Sequence, residues 1–230
     1  MLHKWQVSGI DLAWGYKMPD AIACGVLEKR EGYWSLSEID IHYEKYEVAD
    51  LTEFLSHGAT NHLIAVDAPL VCTNLTGARA VDKECSALYR KYEAGCHPVN
   101  LSLVTRPLEL AEVLRKKNVS ISPEWQQTGM RALEVYPHPT MIHWFGLEKT
   151  IKYKKGRVAE KRKAFSDYQL HLRNFLNRWN GLEIQYPDEL KTILSELWSK
   201  KVEDKLDAFF CLLIASVSYT HLTLPTIYSV

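Results

Sequence analysis

The run Leu63-Ile64-Ala65-Val66 constrains the fold of this chain most. Four consecutive apolar residues read as a strand with no polar face, and such a strand has to be covered on both sides. Asp67 follows at once, and Pro69 stops the run two residues later. A carboxylate at the end of a doubly buried strand is costly unless its charge is compensated. What Asp67 faces is therefore the first functional question.

The rest of the chain supplies the cover. "WQVSGIDLAW" (5–14), "AIACGVLE" (21–28) and "YWSLSEIDIHY" (33–43) are apolar-rich or alternating runs joined by short turns, the signature of an antiparallel meander. Helical spacing follows over 48–57, then the Asp67 strand, then helical patterns over 78–95 and 106–117. "MRALEVYPHP" (130–139) is a second short strand that runs into a carboxylate, Glu134, and then prolines. A short helix comes next, then amphipathic patterns over 158–179 and 187–200. The last pattern, 202–216, is apolar almost all round after Asp207 and so is expected to be buried. This order predicts an α/β fold: a mixed five-stranded sheet, an antiparallel meander followed by parallel strands, with helices on both faces. At 230 residues and 47% apolar composition, one domain over residues 1–216 is long enough to bury a core.

Several acidic residues sit where packing alone would not put them. Asp11 lies inside the first strand, Asp67 ends the fourth and Glu134 the fifth. Asp204 and Asp207 share one face at the entrance of the buried last helix. Gathered carboxylates repel one another, and burial opposes their charge. A divalent cation reverses that balance: Mg²⁺ or Mn²⁺ takes carboxylate oxygens, keeps waters and accepts phosphate oxygens, and paired ions promote phosphodiester cleavage. Each residue also has an ordinary reading. Asp11 suits a strand-edge hydrogen bond, Asp67 an Asx-type turn, Glu134 a proline-bounded loop, and Asp204 and Asp207 the first turn of a helix.

The chain carries 28 basic and 28 acidic residues, so only local charge can indicate a polyanionic partner. Lys149, Lys152, Lys154, Lys155, Arg157, Lys161, Arg162, Lys163 and Arg173 face only Glu160 and Asp167 within the same segment, and Tyr153 lies among them. Basic runs with an aromatic suit a DNA or RNA backbone and a stacked base; an exposed loop and helix face is the plainer alternative. Asn74, Arg79 and Asp82, just after Asp67, suit either a phosphate contact or the cap of the following helix.

"GIDLAWG", "IAVDAPLVCTNLTGARAVDKE", "ALEVYPHPTMIHWFGL", "IKYKKGR" and "EDKLDAFFCLLIA" together resemble the DUF429 family over residues 7–216. The resemblance implies an RNase H-like fold and a predicted nuclease activity. In such a sheet the first and fourth strands lie side by side, bringing Asp11 to Asp67, and the last helix delivers Asp207 onto them. The Asp204-x-x-Asp207 pair is similar to the closing motif of resolvase-type members of that superfamily. The resemblance thus implies catalytic roles for Asp11, Asp67, Asp207 and Glu134, with Asp204 as a further metal ligand. Two other readings stay open: a nucleic-acid-binding module without catalysis, and an actin-like ATPase or phosphotransferase. Against the latter, "DAPLVCT" offers no glycine turn for a phosphate.

Residues 217–230 open with "VSYTHLTLPT", which resembles a translated sequencing adapter, and are expected to be a non-native tail. The five cysteines show no C-x-x-C spacing, which speaks against a disulfide framework or zinc ribbon; Cys96-His97 reads as a partly buried thiol beside a loop histidine. No run reaches the roughly 18 apolar residues of a membrane span, and the N-terminus lacks a signal-peptide pattern, so the expected location is the cytoplasm with no membrane partner.

Overall fold

A computed structural model describes residues 4–56, 60–122 and 128–222. Six strands form one sheet: β1 (Lys4–Asp11), β2 (Asp20–Lys29), β3 (Trp34–Glu44), β4 (Asn61–Val66), β5 (Gly129–Glu134) and β6 (Leu182–Ile184), in the order β5-β4-β1-β2-β3-β6. β1, β2 and β3 pair antiparallel, whereas β4 runs parallel to β1 and β5 parallel to β4. The fold is α/β with a mixed sheet, and the expected side-by-side placement of the first and fourth strands is present. The sheet has six strands where five were expected. The sixth is only three residues long, too short to show a period, and it exists because β3 offers a free edge to which it pairs in parallel.

The helices are α1 (Val48–Ser56), α2 (Ala80–Tyr89), α3 (Thr105–Lys116), α4 (Pro137–Phe145), α5 (Val158–Arg178), α6 (Asp188–Ile193) and α7 (Lys200–Leu222). One core lies between the sheet and α4, α5, α6 and α7, and includes Leu63, Ala65, Phe165, Tyr168, Phe209 and Phe210. The second lies on the opposite face, where Leu51, Leu55, Leu110 and Leu114 of α1 and α3 meet Ile10, Ile64 and Val66. The alternation of β4 between the two cores is the double cover that its unbroken apolar run required. The expected helix 187–200 is shorter: α6 stops at Ile193, where side chains of α5 take its carbonyls. Gln169 donates to Ile193 O at 2.8 Å, and Arg173 to Leu194 O.

Helix α7 lies against the sheet on a platform of small residues. Gly9, Ala23 and Ala65 are register partners across β1, β2 and β4, and Ala21 sits opposite Asp11. A Cβ on Gly9 would overlap the Leu212 amide and the Ala208 carbonyl oxygen and stand 2.6 Å from the Cys211 carbonyl carbon. Backbone therefore rests on backbone at this point. The helix continues to Leu222, with the buried Tyr219 ring 4.6 Å from Trp5 and 5.1 Å from Trp34 between centroids. It thus takes in the first residues of the expected tail; 223–230 lie outside the described residues. No helix among the described residues is long and apolar enough to cross a membrane.

A buried ion pair fixes the loop that leaves β1. Arg106 of α3 grips Asp20 with both guanidinium nitrogens, at 2.7 and 2.6 Å, and also donates to Ala13 O and Tyr46 O. Asp20 in turn accepts from the Ala13 amide at 2.9 Å. Replacing Asp20 with Asn is expected to cost about 3 kcal/mol, because it strands a buried guanidinium. Urea denaturation measures this directly; an unchanged midpoint would refute it.

Candidate active site

Strand alternation places the acidic residues. Val7 of β1 and Leu63 and Ala65 of β4 belong to the α7-side core, whereas Ile10, Ile64 and Val66 belong to the other. One residue further on, Asp11 and Asp67 therefore both turn toward α7. The Asp67 amide donates to Ile10 O at 2.9 Å, which prolongs the β1–β4 pairing to that point. Asp207, wholly buried, stands next to Ala208, whose carbonyl faces Gly9. The close approach at Gly9 is what lowers Asp207 onto the strand ends.

The three carboxyl groups influence one another. Burial raises Asp67 to about 7; Lys154 opposes the shift, and Asp11, Asp207 and Glu134 add to it. Asp11 is raised to about 6 by burial, against Lys154 and with a contribution from the neighbouring Asp204 carboxyl. Asp207 is raised to about 6 by burial, again against Lys154. Asp204 is likewise raised by burial, although Lys200 holds its Oδ1 at 2.5 Å.

Two further side chains reach this site from the segment between α4 and α5. Tyr153 is buried; its ring stacks on Tyr168 at 4.8 Å and its hydroxyl donates to Asp207 Oδ1 at 2.8 Å. Lys154 places its ammonium 2.8 Å from Asp207 Oδ2. Burial pushes that ammonium down, but Asp207, Asp11 and Asp67 together hold it well above the ordinary lysine range. Both residues were expected on a nucleic-acid surface. The structure puts Tyr153 in the core, where no base can stack on it, and turns Lys154 into the carboxylate site. Neighbouring His138, which shares a 3.0 Å contact with Thr150 Oγ1, is lowered to about 4 by burial, with Lys154 and Lys155 adding, and is neutral.

Glu134 does not join the three aspartates. Its register partner is Val66, not Asp67, so it falls on the opposite face. There it accepts from the Leu70 amide at 3.0 Å and from Arg79 at 2.9 and 2.5 Å. Arg79 also binds Asp82 at 2.7 Å, and Asp82 caps α2 by accepting from the Arg79 amide. Asn74 donates to Thr76 O, Gly77 O and Val99 O. The hydrogen bonds of Asn74, Arg79 and Asp82 thus run within the protein; Arg79 and Asp82 take the capping role also open to them from sequence, and Asn74 braces the loop before α2. These residues line a cleft of about 730 Å³ that extends from Asp67 past Trp14, Leu70 and Tyr136. In its wall the Cys85 and Cys96 sulfurs stand 2.8 Å apart.

The basic segment is partly neutralised. Lys149 and Lys152 both pair with Glu93, and Lys161 lies over the Trp198 ring. Lys155, Arg157, Arg162 and Lys163 remain exposed.

The donor chemistry suits a hard divalent cation: Asp11, Asp67, Asp204 and Asp207 offer carboxylate oxygens in a buried setting that disfavours their unneutralised charge. As the side chains stand, however, no three Asp, Glu, His or Cys groups among the described residues converge closely enough to hold a metal ion. The Lys154 ammonium is the charge that Asp11, Asp67 and Asp207 share, whereas Asp204 is met by Lys200.

Sequence reasoning missed Gly9, Tyr153 as a partner of Asp207, and Lys200. The small residues at 9, 21, 23 and 65 were the available signal for the first; nothing local marks the other two. A family model described as "Protein of unknown function (DUF429)" matches residues 9–221. No curated protein and no solved structure matches the chain.

Proposed function

Since the chain belongs to the DUF429 family, whose function its description leaves open, we propose that it is a metal-dependent nuclease acting on phosphodiester bonds. One observation carries this reading: Asp11 and Asp67, at the ends of two parallel strands, and the buried Asp207 of α7, all remote in sequence, lie near enough to raise one another's pKa. Burial disfavours such charge, and a fold keeps a costly cluster of this kind where function uses it.

Asp11, Asp67 and Asp207 would hold Mg²⁺ or Mn²⁺, with Asp204 beside Asp11. Such an ion, when bound, would polarise a phosphoryl oxygen and lower the pKa of a coordinated water. The protein's own contribution is placement. Tyr153 holds Asp207 by its Oδ1, and Lys200 holds Asp204. The exposed Lys155, Arg157, Arg162 and Lys163 offer charge to a strand backbone. The cleft beside Asp67, with the half-exposed Trp14 in its wall, offers room for an unstacked nucleotide.

The test is incubation of the full chain with single-stranded and duplex DNA and RNA in Mg²⁺ and in Mn²⁺. Cleavage that EDTA stops is expected. Intact nucleic acid under every condition, with salt-sensitive binding retained, would replace this reading with that of a binding module.

A further inference from the structure

All five cysteines are free thiols, and two of them meet. The Cys96 thiol donates toward the Cys85 sulfur at 2.8 Å, so a movement of less than about 1 Å brings the pair to the roughly 2.0 Å of a disulfide. The other three are engaged elsewhere. Cys24 lies beside the Ser8 hydroxyl, Cys72 turns to the Asn74 side chain, and Cys211 is buried in α7.

Backbone contacts on either side of the sulfurs build this approach. Cys85 sits in the middle of α2, and Cys96 in the segment that returns along it. The Ala94 amide donates to Tyr89 O at 3.1 Å, and the Ser86 hydroxyl to Cys96 O at 3.1 Å. Gly95 rests on Ser86, where a Cβ would stand 3.5 Å from the Ser86 Cα. Further along, the Val99 amide donates to Asp82 Oδ2 at 3.3 Å. Ties at 82, 86 and 89 thus hold residue 96 against residue 85. Both cysteines are half-buried and both line the cleft beside Asp67, which gives a small oxidant a path to them.

We propose that Cys85 and Cys96 are a modification site in the cleft wall, a thiol pair that a small organic disulfide oxidises reversibly to an internal one. Cys85 attacks one sulfur of the oxidant, which forms a mixed disulfide and releases one thiol. Cys96 then attacks the Cys85 sulfur and releases the second thiol. Two protons and two electrons pass from the cysteines to the oxidant, which leaves as two thiols. Burial, with Cys85 adding, pushes the Cys96 thiol up, and this assigns the first attack to Cys85. The bond staples α2 to the segment before Val99. Arg79 and Asp82 already tie the start of that helix to Glu134, so the oxidised form fixes one wall of the cleft. Nothing in this pairing depends on the chemistry at Asp67.

The experiment equilibrates the full chain with graded mixtures of reduced and oxidised glutathione, then quenches, unfolds and alkylates it for mass spectrometry. Melting temperature is followed in parallel. As the mixture turns oxidising, two of the five thiols should be lost to alkylation, with one cross-linked peptide pair that carries 85 and 96. The melting temperature should rise by about 5 °C or more, and dithiothreitol should reverse both changes. Cys96→Ser should instead stop at one glutathione bound to Cys85, and neither it nor Cys85→Ser should show the melting shift. Five alkylatable thiols at every ratio, glutathione adducts without a cross-link in the wild type, or a bond to Cys72 overturns the proposal. Should a serine variant fail to fold, the wild-type peptide map decides on its own.

Discussion

Replacing Asp11 with Asn is expected, on the nuclease reading proposed above, to slow cleavage by about a thousandfold or more and, in the same protein, to raise the melting temperature at neutral pH. The two effects share one cause. Burial raises the Asp11 carboxyl to about 6, Lys154 pulls it back and Asp204 pushes it up again, whereas in an unfolded chain it titrates near 3.9. A group raised in the folded state contributes stability that is fully present below its unfolded value and lost as pH rises through its folded one. Above pH 6 the ionised side chain therefore costs the fold about 1–3 kcal/mol, a cost that the amide does not carry. Thermal melts should show the variant ahead of wild type at pH 7.5 and level with it near pH 4. Retained cleavage would remove Asp11 from the site. A variant that is less stable at pH 7.5 would show that its charge is already compensated.

Gly9→Ala is expected to be among the most damaging single-methyl changes in the chain. The added carbon would overlap the α7 backbone at Ala208 and Leu212, and no side-chain rotamer can relieve a clash between two backbones. Either α7 lifts from the sheet or β1 bends away. The expected cost exceeds about 4 kcal/mol, a large part of the roughly 5–15 kcal/mol that holds a domain folded. Gly15→Ala, with nothing within 4 Å of the new carbon, is the control and should be near neutral. Circular dichroism and denaturant titration of the pair test this; equal stability would mean that α7 is free to shift at that contact.

Much of this arrangement was legible in the sequence where a local pattern carried it. The doubly covered β4, the meander before it and the buried last helix all follow from apolar periodicity, and Asp11, Asp67 and Asp207 stand out as charges within apolar runs. What escaped depended on register or on distant partners. Glu134 looks like a second Asp67, but its pairing with Val66 puts it one residue out of phase, and a one-residue offset reverses the face. Lys154 belongs by composition to a basic run, and only the packing of Tyr153 against Tyr168 turns it inward. Nothing near Asp20 in the sequence marks its partner, because α3 brings Arg106 to it from 86 residues away. β6 is too short for its pattern to register.

The seat of α7 on Gly9 also bears on when the protein becomes competent during its synthesis. The first strand emerges early, but the helix that lies on it is made roughly two hundred residues later. Asp11 and Asp67 can pair as soon as β4 is out of the ribosome, whereas Asp207 arrives only with nearly the whole chain. A nascent or prematurely terminated product would thus hold two of the three aspartates and lack the third, so the carboxylate cluster stays incomplete until translation has passed α7.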